Sequence, residues 1–317
     1  MSKDNNLLSI NKCYSLDTLE VTSELFKSKS HESLYKSTLH KHSTIKKLVQ
    51  LIDISDKAQQ KKYWKTYHCK NVLLQNGNKF TGSLCRKRWC QTCNRIKTAE
   101  MTNAYLPSFE KLKEIDKLYF VTLTAPTIAA RQMKKEINKR YKVFTLIKDN
   151  LRKQGVKLNG MRKLEITYNE VNDKYHPHFH FIQQGYAESK MLLDSWLKHF
   201  PNASINAQDI KEVSQGSDSL IELMKYATKD IVKDTTSAIA YNNIQKAIEG
   251  VRIFQPYGKL RKVKAPKEEK EEILNADFIA PKLEIYVYDQ NSKDYFNAKD
   301  ECLINTKEIE LRLKTKL

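Results

Sequence analysis

The sequence predicts an α+β protein: a ferredoxin-like antiparallel sheet with helices on one face, a small Cys-rich zinc-binding element, and helical flanks. Three observations carry this. Between residues 117 and 230 the hydrophobic period switches between two and 3.6 in the order strand, helix, strand, strand, helix, strand, helix, and the first six match a βαββαβ unit. Three of the six cysteines crowd into nine residues, 85–93, which asks for an explanation other than packing. With 317 residues, the chain exceeds one domain's usual length, so two or three units are expected.

The elements follow in order. Leu118 to Thr124 (LYFVTLT) is rich in β-branched and aromatic residues and is bounded by Pro126, so it reads as a strand. Met133, Ile137, Tyr141, Phe144, Ile147 and Leu151 recur at helical spacing, and Gly155 closes the run. Lys163 to Tyr168 alternates as a second strand, Asn172-Asp173 supplies turn chemistry, and His178 to Ile182 returns as the hairpin partner. Ser189 is placed to cap a helix carrying Leu192, Leu193, Trp196, Leu197 and Phe200. Asp209 to Val213 reads as a short strand, and Ser219 opens a helix running to about Asp230. Outside this core, His42 to Ile54 is helical in pattern and the first thirty residues are loosely ordered. Leu283 to Tyr288 reads as one strand and the last fifteen residues as a helix.

A net charge of +19 points to a polyanionic partner, nucleic acid before an anionic membrane surface. No apolar run approaches the ~18 residues of a spanning helix, and the N-terminus opens no signal-peptide core, so the expectation is a cytoplasmic protein without a membrane partner. Residues 61–100 hold ten Lys or Arg against one acid, Glu100, and interleave Tyr63, Trp64, Tyr67, Phe80 and Trp89. Basic plus aromatic is the composition of a nucleic-acid surface; the bland alternative is a solvated charged face over a small core.

Two constellations carry chemistry. In Tyr175 to Ile182 (YHPHFHFI), a strand's period of two puts His176, His178 and His180 on one face and Phe179 and Phe181 on the other. Two imidazoles two residues apart can converge on one divalent ion, and Glu165, on the preceding strand, can complete the set. His176, ahead of Pro177 at the strand entrance, ranks below the other two. The alternative is three packing histidines. In the helix after the last strand, Leu220, Leu223, Met224 and Ala227 form a buried stripe. Glu222, Lys225, Tyr226 and Lys229 share the opposite face. A phenol between two ammonium groups suits an encounter with phosphate, the cations favouring phenolate. Here too a plainer reading exists: Ser219 and Glu222 fit a capping box.

Cys85, Cys90 and Cys93 have ligand spacing for a structural Zn²⁺, with Cys69 or His68 as the fourth corner. Arg86, Lys87, Arg88 and Arg95 surround the cluster, so a zinc-pinned loop would present cations to DNA.

Taken together, Phe120–Thr124, then His176-Pro177-His178-Phe179-His180, then Glu222 to Lys229 resemble the three ordered motifs of the plasmid rolling-circle replication initiators of the HUH endonuclease superfamily. The likeness covers roughly residues 65–235. Its Glu four residues before Tyr resembles the branch found on small Gram-positive plasmids. The resemblance implies that His178 and His180 hold Mg²⁺ or Mn²⁺ and that Tyr226 attacks the scissile phosphate. A 5′-phosphotyrosine forms and a 3′-hydroxyl primer is freed. Glu222 then activates water at termination. It further implies a plasmid origin as partner, presented as single-stranded or hairpin DNA, with host helicase and polymerase acting beside it. His178, His180 and Glu165 are expected to face one open site with Tyr226 nearby. The competing functions are a single-tyrosine transposase or relaxase, and a non-catalytic zinc-containing DNA-binding protein. The expected organisation is a polar N-terminal segment (1–60), the basic Cys-rich element (61–110), the catalytic domain (111–235) and a C-terminal DNA-binding or interaction region (236–317).

Overall fold

The computed structural model describes residues 29–76, 79–213, 223, 232, 234–263 and 284–298, the side chains of 29–37, 39, 76 and 79–80 excepted. The elements are α1 (Lys29–Asp53), α2 (Lys57–Tyr67), β1 (Val72–Asn76), β2 (Lys79–Gly82), α3 (Gln91–Ile115), β3 (Leu118–Leu123), α4 (Met133–Lys153), β4 (Gly160–Asn169), β5 (Lys174–Gln184), α5 (Tyr186–His199), β6 (Asp209–Glu212), α6 (Thr235–Ala247), β7 (Phe254–Tyr257), β8 (Glu284–Asp289) and β9 (Asp294–Asn297). The chain divides into two compact units, one of residues up to 94 together with those from 269 onward, the other of residues 95–268.

The larger unit is built on a five-stranded sheet in the order β6-β3-β5-β4-β7, every neighbouring pair antiparallel. Alternation assigns its faces. Val121, Leu123, Leu164, Ile166, Phe179 and Phe181 meet α4, α5 and α6 in one apolar core with Phe144, Trp196 and Ile244. On the opposite face Leu118, Met161 and Ile182 are covered by Tyr105, Phe109 and Leu112 of α3. The expectation of helices on one face therefore holds for α4, α5 and α6, while α3 covers one end of the other. The rest of that second face carries Thr122, Glu165, His178 and His180.

The hairpin is longer than its alternating pattern suggested, pairing Gly160 with Gln183 through to Asn169 with Lys174. Its extra length comes from residues buried on both faces, where alternation fades. The connection turns through Asp173, whose φ is 47°, a left-handed position that Asp tolerates. Gly185, with φ of 84°, turns the chain from β5 into α5. The helix thus starts at Tyr186, and Ser189 is no cap: it is buried and its hydroxyl donates to the Gly185 carbonyl at 2.7 Å. In α4 the stripe is as expected except that Arg140 is more deeply buried than Tyr141. Its guanidinium donates to the Pro126 carbonyl (3.1 Å) and to Glu136 (3.2 Å), so a charged residue sits inside with partners.

The smaller unit holds a four-stranded sheet in the order β2-β1-β8-β9. Leu73, Tyr286, Tyr288 and Tyr295 make its apolar face, packed by Ile45 of α1. LEIYVY is a strand as read, yet its partners are β1, over two hundred residues earlier, and β9. The helix expected at 42–54 begins at Lys29. The helix expected at 219–230, the opening thirty residues short of 29, and the closing fifteen lie outside the described residues. Within the first of these, Leu223 is described as helical and fully buried against the α3 core.

Candidate functional site

Register builds the first site. Glu165 pairs with His178 and Lys163 with His180 across β4 and β5, while Thr122 of β3 pairs with His180 from the other side. These side chains share one face, and one ligand atom each of Glu165, His178 and His180 lie within 4.8 Å of one another. The Glu165 Oε2 is 3.6 Å from His180 Nε2. The His178 ring Nδ1 is 2.9 Å from the His176 carbonyl oxygen. A carbonyl only accepts, so Nδ1 carries the proton and Nε2 keeps the ligating lone pair. His180 Nδ1 lies 3.1 Å from the Thr122 hydroxyl, which orients the second ring and, able to donate or accept, leaves its tautomer open.

Lys163 is the residue that sequence reading missed. Its ammonium is 2.8 Å from Glu165 Oε2, with side-chain exposures of 4% and 12%. Burial works to raise the Glu165 carboxyl, and the neighbouring ammonium overrides it, leaving the group below its ordinary range. The carboxylate is thus kept ionised in a largely dry place. The only sequence signal was a lysine on the same strand face as Glu165, two residues away. His176, by contrast, stacks on His178 at 5.1 Å and is pushed down to about 4, first by burial and then by His178. It stands beside the ligand set rather than in it. The set is more enclosed than the open site expected, with His178 7% and Glu165 9% exposed; Thr122 and Lys163 line it with polar groups, while the Phe120 ring packs against His180 at 5.3 Å. Tyr226, Glu222, Lys225 and Lys229 all lie outside the described residues.

The second site is the sulfur cluster. The Sγ atoms of Cys69, Cys85, Cys90 and Cys93 converge. Cys69 to Cys93 is 3.5 Å, Cys85 to Cys93 3.6 Å and Cys90 to Cys69 3.8 Å. A tetrahedron with metal–sulfur bonds of about 2.3 Å has edges of about 3.8 Å, so the spacing fits such an ion. Of the two candidates for the fourth corner the structure brings in Cys69; His68 is exposed and its Nδ1 faces Asn71 at 3.2 Å. Backbone N–H groups of Cys85 and Arg86 point at the sulfurs of Cys69 and Cys93, each at 3.3 Å. The latter requires the left-handed turn at Arg86, φ 54°. Cys93 sits in the first turn of α3, where the helix dipole favours an anion. Contacts with Cys69, Cys90 and Cys93 hold the Cys85 thiol below its usual range, while contact with Cys69 pushes Cys90 and Cys93 above it. Only a cation among the sulfurs would let all four be thiolates at once.

Lys41 of α1 braces the cluster from outside. Its buried ammonium donates to the carbonyls of Cys69 (2.6 Å) and Tyr67 (3.1 Å) and to Asn71 Oδ1 (2.6 Å). Burial lowers it to about 8 against the opposing pull of the cysteines. Of the predicted cations, Arg86 and Arg95 are exposed while Lys87 and Arg88 are half-buried on the loop between Cys85 and Cys90.

One unit carries a Glu/His set on an antiparallel sheet and the other a four-sulfur cluster, and each set could hold a metal ion. The family described as "Replication protein" matches residues 77–299, and the chain belongs to that family. A curated "Protein rep" of Staphylococcus aureus is 27% identical over 172 residues, covering 50% of this chain and 74% of that protein. A "Protein rep" of a Bacillus species is 23% identical over 251 residues, 64% of this chain and 80% of its own length. For a "Protein rep" of Streptococcus pneumoniae serotype 2 the figures are 22% over 171 residues, with 47% and 52% covered, so about half of that relative is spanned. No solved structure matches the chain. No helix among the described residues is long and apolar enough to cross a membrane.

Proposed function

We propose that the chain is a plasmid rolling-circle replication initiator that nicks one strand at its origin through Tyr226. The observation that carries the reading is the convergence of His178, His180 and Glu165 on the sheet face opposite the main core. Packing alone does not require a carboxylate among them, and the Glu165 oxygen 3.6 Å from His180 supports a ligand role although Phe120 packs on that ring. The strand order and the βαββαβ succession support a ferredoxin-like HUH core.

The three ligands fit a Mg²⁺ or Mn²⁺ ion: a carboxylate suits hard ions, and Mn²⁺ also accepts imidazole. When bound, such an ion supplies Lewis-acid polarisation of a phosphoryl oxygen. The chain's own residues do the rest. Tyr226 Oη attacks the phosphorus, the P–O3′ bond breaks, the 3′-oxygen leaves and takes up a proton, and a 5′-phosphotyrosine remains. Lys225 and Lys229 stabilise the phenolate and the phosphoryl charge. The covalent link preserves the bond energy for rejoining. At termination a second cleavage needs a new nucleophile, and Glu222, four residues before Tyr226 in sequence, serves as base toward water. The sulfur cluster takes Zn²⁺ as a structural ion, and Arg86, Lys87, Arg88 and Arg95 contact DNA. Host helicase and polymerase act on the opened origin, and the reaction is cytoplasmic.

The test is to incubate the protein with Mn²⁺ and a supercoiled plasmid carrying its own replicon. A protein–DNA adduct that disappears in Tyr226→Phe, with origin binding retained, is the expected outcome. Full nicking by the Phe variant sinks the assignment. A protein that binds but never nicks favours the non-catalytic zinc-containing DNA-binding alternative, and nicking without origin preference favours a transposase or relaxase.

A further inference from the structure

Resting on the reading of this chain as a DNA-nicking initiator, we propose that the outer face of α2, centred on Trp64, is a base-stacking surface for an unpaired DNA strand. Helical spacing makes the face. Lys57, Lys61, Trp64, Lys65 and His68 follow at i, i+4, i+7, i+8 and i+11 and are all exposed, while Gln59, Tyr63 and Thr66 are buried on the other side. The structure thereby sorts the aromatics of this basic region. Tyr63 and Trp89 pack edge to face at 5.1 Å inside, and Trp89 Nε1 donates to Thr66 at 2.8 Å. Trp64 is instead 47% exposed, with Tyr67 set edge-on at 5.1 Å to limit its rotation.

A large aromatic ring kept nearly half exposed among lysines, with Tyr67 edge-on and His68 stacked at 6.5 Å along one side, is poorly explained by folding. Its apolar surface would be better placed inside, and the charges around it oppose a hydrophobic protein partner. Charge complementarity selects a polyanion, and the ring selects one whose planar groups are available. Duplex bases are already stacked on each other, whereas every unpaired base has a free π-face for an indole. Lys61, one turn before Trp64, and Lys65, next to it, then lie where the phosphates of such a strand must run. The platform is also held firmly. Asp56 caps the start of α2 by accepting from the Gln59 amide at 2.9 Å, and Cys69, next to His68, ties its end to the sulfur cluster. The Arg86–Arg88 loop leaves the same cluster, so the basic surface continues past the helix end.

The experiment uses the full chain without added divalent ion, a short oligothymidylate as probe, and its duplex with oligodeoxyadenylate as control. Trp89 and Trp196 are buried, so iodide-quenchable emission reports Trp64. The expected result is that the single strand shields Trp64 from iodide and the duplex does so less. Trp64→Leu should lose about tenfold in affinity for the single strand while Trp64→Phe keeps most of it. Lys61→Gln with Lys65→Gln should flatten the log–log salt slope by about 1.4. Unchanged affinity in Trp64→Leu, equal shielding by duplex, or equal shielding by polyglutamate overturns the proposal, the last because charge alone would then account for binding. Should Trp64→Leu fail to fold, the shielding comparison on the unaltered protein still decides. None of these readouts requires nicking, so a failure of the Tyr226 assignment is seen separately.

Discussion

At the residue scale, the candidate metal site depends on groups that would not touch a bound ion. Thr122 and the His176 carbonyl each fix one imidazole, and partners of this kind are worth about 10–100-fold in metal affinity. Thr122→Val, which keeps shape and removes the hydroxyl beside His180, should therefore weaken Mn²⁺ binding by about that factor, read by titration calorimetry. His178→Ala or His180→Ala should abolish it, and Glu165→Ala should lose less. Lys163 invites a sharper test. Removing one partner of a buried ion pair leaves an uncompensated charge and costs about 3–5 kcal/mol. Lys163→Met should destabilise the fold by that order in urea melts, and adding Glu165→Gln should restore most of it. Equal destabilisation of the single and double variants would mean that Lys163 acts by packing alone. Sequence made His178, His180 and Glu165 legible because period-two alternation assigns faces without knowledge of the fold. Lys163 was not legible, since a lysine in a strand ordinarily points to water, and only register shows it meeting a carboxylate inside.

At the element scale, β5 joins the two halves of the larger unit's chemistry. Its odd-numbered aromatics enter the core as its even-numbered histidines enter the site. Phe179 is fully buried against Tyr141, Phe144, Phe181 and Trp196. Phe179→Ala should cost about 3–5 kcal/mol and weaken metal binding only through global unfolding, a distinction that calorimetry on the folded fraction makes. The central elements were readable because each has a clean period and a local boundary. Those missed lacked one or the other. In α3, Pro107 stands inside the helix and reads as a breaker. In β7, four residues including Pro256 fit only an edge strand, the place where a missing N–H goes unnoticed. The short β9 gains its meaning from pairing with β8, and no local pattern announces it.

At the scale of the whole molecule, the expected linear series of segments gives way to a unit whose chain enters, leaves and returns. The described strands β8 and β9 complete the sheet begun by β1 and β2, while α6 and β7, expected in a C-terminal extension, belong to the larger unit. Composition could not reveal this, because strand pairing at long range leaves no local trace. It has a consequence for metal removal. Among the described residues, the smaller unit has a modest apolar cluster of Leu73, Tyr286, Tyr288 and Tyr295, the cysteine cluster, and a few further buried groups such as Leu48, Leu51 and Tyr63. The larger unit has the extensive core around Phe144, Phe179 and Trp196. Zinc bound by four thiolates supplies folding free energy directly, so the smaller unit should depend on it and the larger one should not. A strong chelator should therefore raise amide hydrogen exchange in α2, β1 and β8, while β3, β4 and β5 stay protected, and Cys69→Ser should reproduce the pattern without chelator. Because exchange is read without cleavage, loss of any ion held at Glu165, His178 and His180 does not confuse the result. Equal deprotection of both sheets would show that the cluster supports the entire fold, and no change in either would show that the four sulfurs need no ion to hold their place.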